Sequence, residues 1–190
     1  MKAFASAFAF RSTIILCLVL SMLLGTISAT TVVPMSVERL TQASTHVVVA
    51  EVQESWTEWN ADRSLIYTVT RLQVQKSLKG EAASTILVKQ MGGSNGGYQQ
   101  KVAGVRHFAS GEKTVLFLHS SEANDRRMVV TGLMQGNFHV ARSQSADPIV
   151  SNGVAGVEEF DTETRTVRQY SGSRMRLSEL TSRVQKAGSL

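Results

Sequence analysis

The sequence predicts a mainly β domain, a small closed barrel with short flanking helices. Three observations predict it. From His46 onward, β-branched and apolar residues alternate with polar ones over several stretches. Short Gly-, Asn- and Asp-bearing turns separate those stretches. Helical periodicity is confined to two short segments at the ends of the domain, 36–44 and 178–187.

The chain opens with a pattern that belongs to export rather than to the domain. Lys2 and Arg11 precede the apolar run 13–24 (TIILCLVLSMLL), and 25–29 (GTISA) ends in a small residue. Charge, apolar run and small residue in that order are the mark of a secretory signal peptide. The apolar run has 12 residues, whereas a membrane-spanning helix needs roughly 20. Removal of 1–29 is therefore expected, with a secreted or periplasmic destination and no membrane contact after cleavage. What is left is a single domain over 30–190, with its core at about 44–142 and a C-terminal strand and helix over 164–187. Cys17 is the only cysteine, so the processed chain has no disulfide, thiol nucleophile or thiolate metal site. Its net charge falls from +5 to +3, because Lys2 and Arg11 are the only charged residues lost. The remaining basic residues are scattered, and no run of like charge supports a nucleic-acid arm.

The elements follow in order. Ser36 can cap a short helix that puts Val37, Leu40 and Ser44 on one face. Residues 46–59 (HVVVAEVQESWTEW) and 64–78 (SLIYTVTRLQVQKSL) read as a long antiparallel hairpin joined by the turn-prone 60–63. Tyr67 and Val69 fall on one face of the second strand, whereas Leu72, Val74 and Leu78 fall on the other. That switch predicts a bulge near Thr70 and Arg71, of the kind that bends a sheet into a barrel. Residues 85–90 make a third strand, 92–97 (GGSNGG) a flexible loop, and 98–102 a short edge strand. The unbroken apolar run in 113–118 (KTVLFL) predicts a strand buried on both faces. Residues 127–134 and 137–141 read as a second hairpin about Gln135-Gly136, 143–156 as a polar loop, and 164–170 as a last strand. The terminal helix carries Leu180, Val184 and Ala187 on one side.

No catalytic constellation assembles from local signals in the sequence. His46, His107, His119 and His139 lack the spacing of a helical zinc motif and read as strand-surface or capped histidines. The Gly-rich 92–97 is followed by a strand instead of a helix N-terminus and Lys, so it is not a phosphate loop. Ser110-Gly111-Glu112-Lys113 matches a Ser-x-x-Lys spacing but sits at a turn, without companion motifs. Glu158, Glu159, Asp161 and Glu163 form the densest acidic cluster, read as a solvated loop ahead of a weak calcium site. No catalytic residue, metal or cofactor is expected; a single deep pocket holding two or more of the histidines or acids would reopen an enzymatic reading. Trp56 and Trp59, three apart on a strand, face opposite sides, one expected in the core and the other covering the barrel or anchoring a partner.

The progression 46–52 (HVVVAEV), Leu72-Gln73-Val74, Leu78-Lys79-Gly80 and 111–118 (GEKTVLFL) resembles the netrin-like domain of the tissue inhibitors of metalloproteinases. The glycines 92–93 and 96–97, Phe108, Gly111-Glu112 and 135–140 (QGNFHV) are similar to bacterial secreted proteins associated with matrixin-type proteases. The resemblance covers roughly 44–142 and implies an OB-like β-barrel and a protein partner, a secreted protease among the possibilities. It departs from the inhibitors at the N-terminus, where their disulfide-fixed cysteine meets the protease zinc; here 30–33 (TTVV) would begin an untethered chain. The expected function is an exported non-enzymatic binding module. Its binding residues would be Trp56, Trp59, Gly92, Gly93, Asn95, Gly96 and Gly97, together with the 60–63 tip. The alternative is a cell-envelope component that assembles or adheres through sheet edges.

Overall fold

The computed structural model describes residues 30–121, 125–153 and 157–189; the predicted leader, 1–29, lies outside them. The described chain is mainly β. Its strands are β1 (Thr30–Val32), β2 (His46–Trp59), β3 (Ile66–Lys79), β4 (Thr85–Met91), β5 (Gly93–Asn95), β6 (Tyr98–Gln100), β7 (Lys113–Ser120), β8 (Met128–Val130), β9 (Asn137–Val140), β10 (Ile149–Ser151), β11 (Val157–Asp161), β12 (Thr166–Gln169) and β13 (Arg174–Arg176). Two helices join them, α1 (Val37–Ala43) and α2 (Leu177–Gly188).

Eight strands form one mixed sheet in the order β13-β10-β9-β7-β2-β3-β4-β8. A further pairing of β7 with β8 links β2, β3, β4, β8 and β7 into a ring. Between β4 and β8 the ring is held by one parallel register pair, Val88 with Met128. Side chains of even number on β2, β3 and β7 fill it: Val48, Ala50, Val52, Leu72, Leu116 and Leu118, with Val88, Val130 and Phe108. Odd-numbered residues of the same strands, Val47, Val115 and Phe117, face a second interior shared with Leu40, Phe138, Val150, Leu180 and Val184. The two helices roof that second interior. β7 is thus buried on both faces, as its apolar run predicts; Val115, Leu116, Phe117 and Leu118 are fully buried.

Local chemistry sets the helix ends. Ser36 Oγ accepts the Arg39 N–H at 3.2 Å, the predicted N-cap. At the other end of α1, Lys79 Nζ donates to the carbonyls of Thr41 at 2.6 Å and Ser44 at 2.8 Å. These are groups that a helix C-terminus leaves unpaired, and a cation there also suits the helix dipole. Asp147 receives the backbone N–H and hydroxyl of Ser178 at the start of α2. Arg183 forks onto Glu38 at 2.8 and 2.9 Å, tying α2 to α1.

Several expectations need correction. The β2–β3 hairpin forms, and its register slips at three points: between Val47 and Val48, between Val49 and Ala50, and, where the bulge is predicted, between Val52 and Glu54. The last slip, opposite Arg71 and Leu72, inserts Gln53 on β2 rather than a residue on β3. The apolar residues of β3 change interiors later than predicted: Leu72 and Val74 pack in the ring, and Leu78 packs against the second interior, past the two slips that lie opposite 74–79. The second predicted hairpin does not exist: β8 and β9 both pair antiparallel with β7, along successive halves of one edge. A 3-10 turn, Leu133–Gly136, interrupts them, and a Cβ on Gly136 would come within 2.3 Å of the Thr131 carbonyl. The loop read over 143–156 contains β10, and 154–156 lie outside the described residues. The acidic cluster belongs mostly to β11, where Glu159 is buried and paired with Arg168. The chain start over 30–33 is tethered: β1 pairs in parallel with β11, and Gln135 binds the Val33 carbonyl and the Met35 N–H.

Candidate functional site

The two segments that the sequence singles out for contact converge at one end of the molecule. Glycines 92–97 are a small hairpin, β5–β6, instead of a flexible loop. Gly96 and Gly97 take φ of 58° and 84° in its two-residue turn. The hairpin lies against the distal part of β2 and β3. Thr57 Oγ1 donates to the Ser94 carbonyl at 2.7 Å, Asn95 Nδ2 to the Thr57 carbonyl at 3.0 Å, and Thr68 Oγ1 to the Gly92 carbonyl at 2.7 Å. Gln100 Oε1 accepts the Ile66 N–H at 2.8 Å. Gly93 is required by this close approach: its φ is 138°, and a Cβ would meet Thr68 Oγ1 at 2.7 Å and Thr57 Cγ2 at 2.8 Å.

Both tryptophans are half-buried, and neither enters the core. They do face opposite sides of β2. Trp59 meets Tyr98 of β6 edge-on, with ring centroids 5.6 Å apart, and Tyr98 remains 68% exposed. Trp56 lies on the outer face under the Arg71 guanidinium, 5.6 Å from its ring centroid, and Arg71 also pairs with Glu54. Beside Trp59, Asp62 caps the β2–β3 tip by accepting the Ser64 N–H and hydroxyl. Of the seven predicted residues, Trp59, Gly92, Gly93, Asn95, Gly96 and Gly97 come together; Trp56 stands apart.

A second cluster was not foreseen. Glu112, only 6% exposed, immediately precedes β7 and accepts Arg106 Nη2 at 2.5 Å, the Ala109 N–H at 3.0 Å and His139 Nδ1 at 3.0 Å. Arg106 also donates to Asn137 Oδ1 at 3.0 Å, which takes the Thr114 hydroxyl at 2.9 Å. Burial pushes the Glu112 carboxyl up, but Arg106, the Ala109 N–H and His139 together outweigh it and hold the group below its ordinary value. The cluster borders a cleft of about 700 Å³ between 109–113 and 139–148. One histidine and one acid share this cleft, yet no hydroxyl or thiol is hydrogen-bonded to His139 among the described residues, so a nucleophile–base pair is not assembled.

A second concavity, of about 370 Å³, opens beyond the Val88–Met128 pair, between Lys89–Met91 and Val129–Val130. Gln90, whose Oε1 is buried without a hydrogen bond, lines it, as does Leu133, held at φ 57°. The remaining histidines are engaged locally: His46 with Thr45 and Glu81, His107 with the Met91 carbonyl, His119 with Thr131. Among the described residues no group of three His, Cys, Asp or Glu side chains could hold a metal ion. No helix among them is long and apolar enough to cross a membrane.

Sequence reasoning missed Tyr98 because its partner lies on another strand, and missed the Glu112 cluster because its members are dispersed over 106–139. The signal available was Glu112 itself, an acid at the head of a run buried on both faces. No protein-family model matches this chain, and no curated protein matches it.

Proposed function

We propose that this protein is an exported, non-enzymatic binding module that engages a protein partner, a secreted metalloprotease foremost, through its hairpin end. The observation that carries the reading is the Trp59–Tyr98 pair: a large exposed aromatic ring on a short hairpin whose backbone is pinned to β2 and β3. Tyr and Trp supply much contact area with few rotors to freeze, and they dominate the energetics of protein interfaces. The ring of five strands supports an OB-like architecture, a fold that commonly presents its ligands to loops at one end. Export rests on the leader pattern of 1–29, and the protease on the netrin-like resemblance over 44–142.

The reading is tested with secreted metalloprotease activity from the same organism, assayed with and without the processed chain. Tyr98→Ala is expected to weaken inhibition or co-purification at least tenfold, since an interfacial aromatic anchor is worth 2 kcal/mol or more. Its melting temperature should stay unchanged. Equal binding by wild type and variant, or no binding by either, rejects the hairpin end as the contact surface. The second reading, assembly through sheet edges, is favoured by β12, whose four residues are all exposed and whose Val167 is 52% exposed. Light scattering separates the two: a concentration-dependent oligomer supports assembly, and a stable monomer supports the soluble binder.

A further inference from the structure

The cleft beside His139 is built differently from the hairpin end and does not depend on it. Glu112 is the only acid among the described residues that line it, and its charge is already met by Arg106. Lys113 and Arg142 also line it, and neither has a carboxylate partner among the described residues. The cleft therefore carries an uncompensated positive field, which a concave wall of low dielectric concentrates.

His139 is the oriented element within that field. The buried Glu112 carboxylate takes its Nδ1 at 3.0 Å, which fixes the ring plane and leaves Nε2 as the free nitrogen, on a side chain 43% exposed. Glu112 is itself held rigid by Arg106 and the Ala109 N–H, and Arg106 by Asn137. Ser143 Oγ accepts the Ser145 N–H at 3.0 Å and so keeps its own proton to donate. Donors and positive charge thus line one cleft, where an oxyanion is the ligand they complement.

We infer that this cleft is an oxyanion site that takes the carboxylate or phosphate group of a small ligand, with His139 Nε2 as the positioned donor. In the occupied site the imidazole is protonated, so a proton is taken up with the ligand. The charged and titratable groups around the ring are Lys113 of β7, Glu112 and Arg106 from the segment before it, Arg142 after β9, and Arg174 of β13, in line with His139 through Ser151. Asp147, in the same loop as Arg142, is committed to Ser178 of α2.

The probes are sulfate, standing for a phosphate group, and acetate, standing for a carboxylate; both keep a fixed charge near neutrality. Each is titrated into the whole processed chain at constant ionic strength against chloride. The His139 ring protons and the amides of 111–113 and 142–145 are followed by NMR. Saturable shifts confined to those signals are expected. Affinity should rise as pH falls, by at most about tenfold per pH unit, the slope for one linked proton. Sulfate alone saturating assigns a tetrahedral oxyanion, and acetate alone a carboxylate. His139→Phe should remove the pH dependence, and Lys113→Gln, an exposed change that leaves the fold intact, should weaken binding several-fold. No saturation by either probe, or shifts spread over basic residues elsewhere and indifferent to His139→Phe, overturns the site.

Discussion

Single residues in this chain are held in backbone states that their side chains do not favour. Arg165, at the β11–β12 turn, is exposed yet takes φ 53°. The left-handed region costs a residue with a Cβ roughly 1–2 kcal/mol, and no hydrogen bond from the Arg165 side chain offsets it among the described residues. Arg165→Gly is therefore expected to stabilise the domain by about 1 kcal/mol, after the larger unfolded-state entropy of glycine is allowed for. For a domain of this size that is a rise of roughly 2–4 °C in Tm, read by calorimetry. A fall in Tm would mean that the turn needs the arginine side chain.

Between residues and the whole lie the elements, where a residue of one strand closes the end of a helix. Lys79 terminates β3 and at the same time binds two carbonyls at the end of α1. Charged hydrogen bonds of this kind contribute about 1.5–3 kcal/mol, so Lys79→Met should cost about 2 kcal/mol in urea unfolding. Lys76→Met, exposed on the same strand, should stay within about 0.5 kcal/mol. Equal losses for the two would refute the capping role. At this scale the sequence was legible wherever side-chain period decides the matter. β2, β3 and β7 announce themselves by alternation or by an unbroken apolar run, and α1 by Ser36. It was illegible wherever a third strand decides. Nothing local in 127–141 tells a hairpin from two segments laid end to end along β7. Gly92 to Gly97 has the composition of a mobile loop, and Thr57, Ile66 and Thr68 from β2 and β3 hold the hairpin it forms. The candidate site divides likewise. Trp59 and the glycines could be named in advance, whereas Tyr98 and the Arg106–Glu112–His139 chain exist only once strands distant in sequence have met.

For the whole molecule, the helical roof over the second interior is held by charge as well as by packing. The Arg183 guanidinium beside Glu38 holds that carboxyl at about 2, well under its ordinary 4.5. Because the folded value is depressed, the contribution is complete above about pH 4.5 and is lost as pH falls toward 2. Glu112 is depressed too and adds loss of the same sign in acid. The urea midpoint should therefore drop through this window, and Arg183→Met should flatten part of the drop without altering the midpoint's slope near neutrality. An unchanged acid profile in Arg183→Met would remove Glu38 from the account.

One strand serves as a party wall. Because β7 turns alternate side chains into the ring and under the two helices, adjacent positions along it answer to different neighbours. A methyl group trimmed at Leu116 loosens the chamber beneath the hairpins, and one trimmed at Val115 loosens the attic beneath α1 and α2. Neither chamber can be emptied while the other stands, so the molecule should come apart all at once rather than in two instalments.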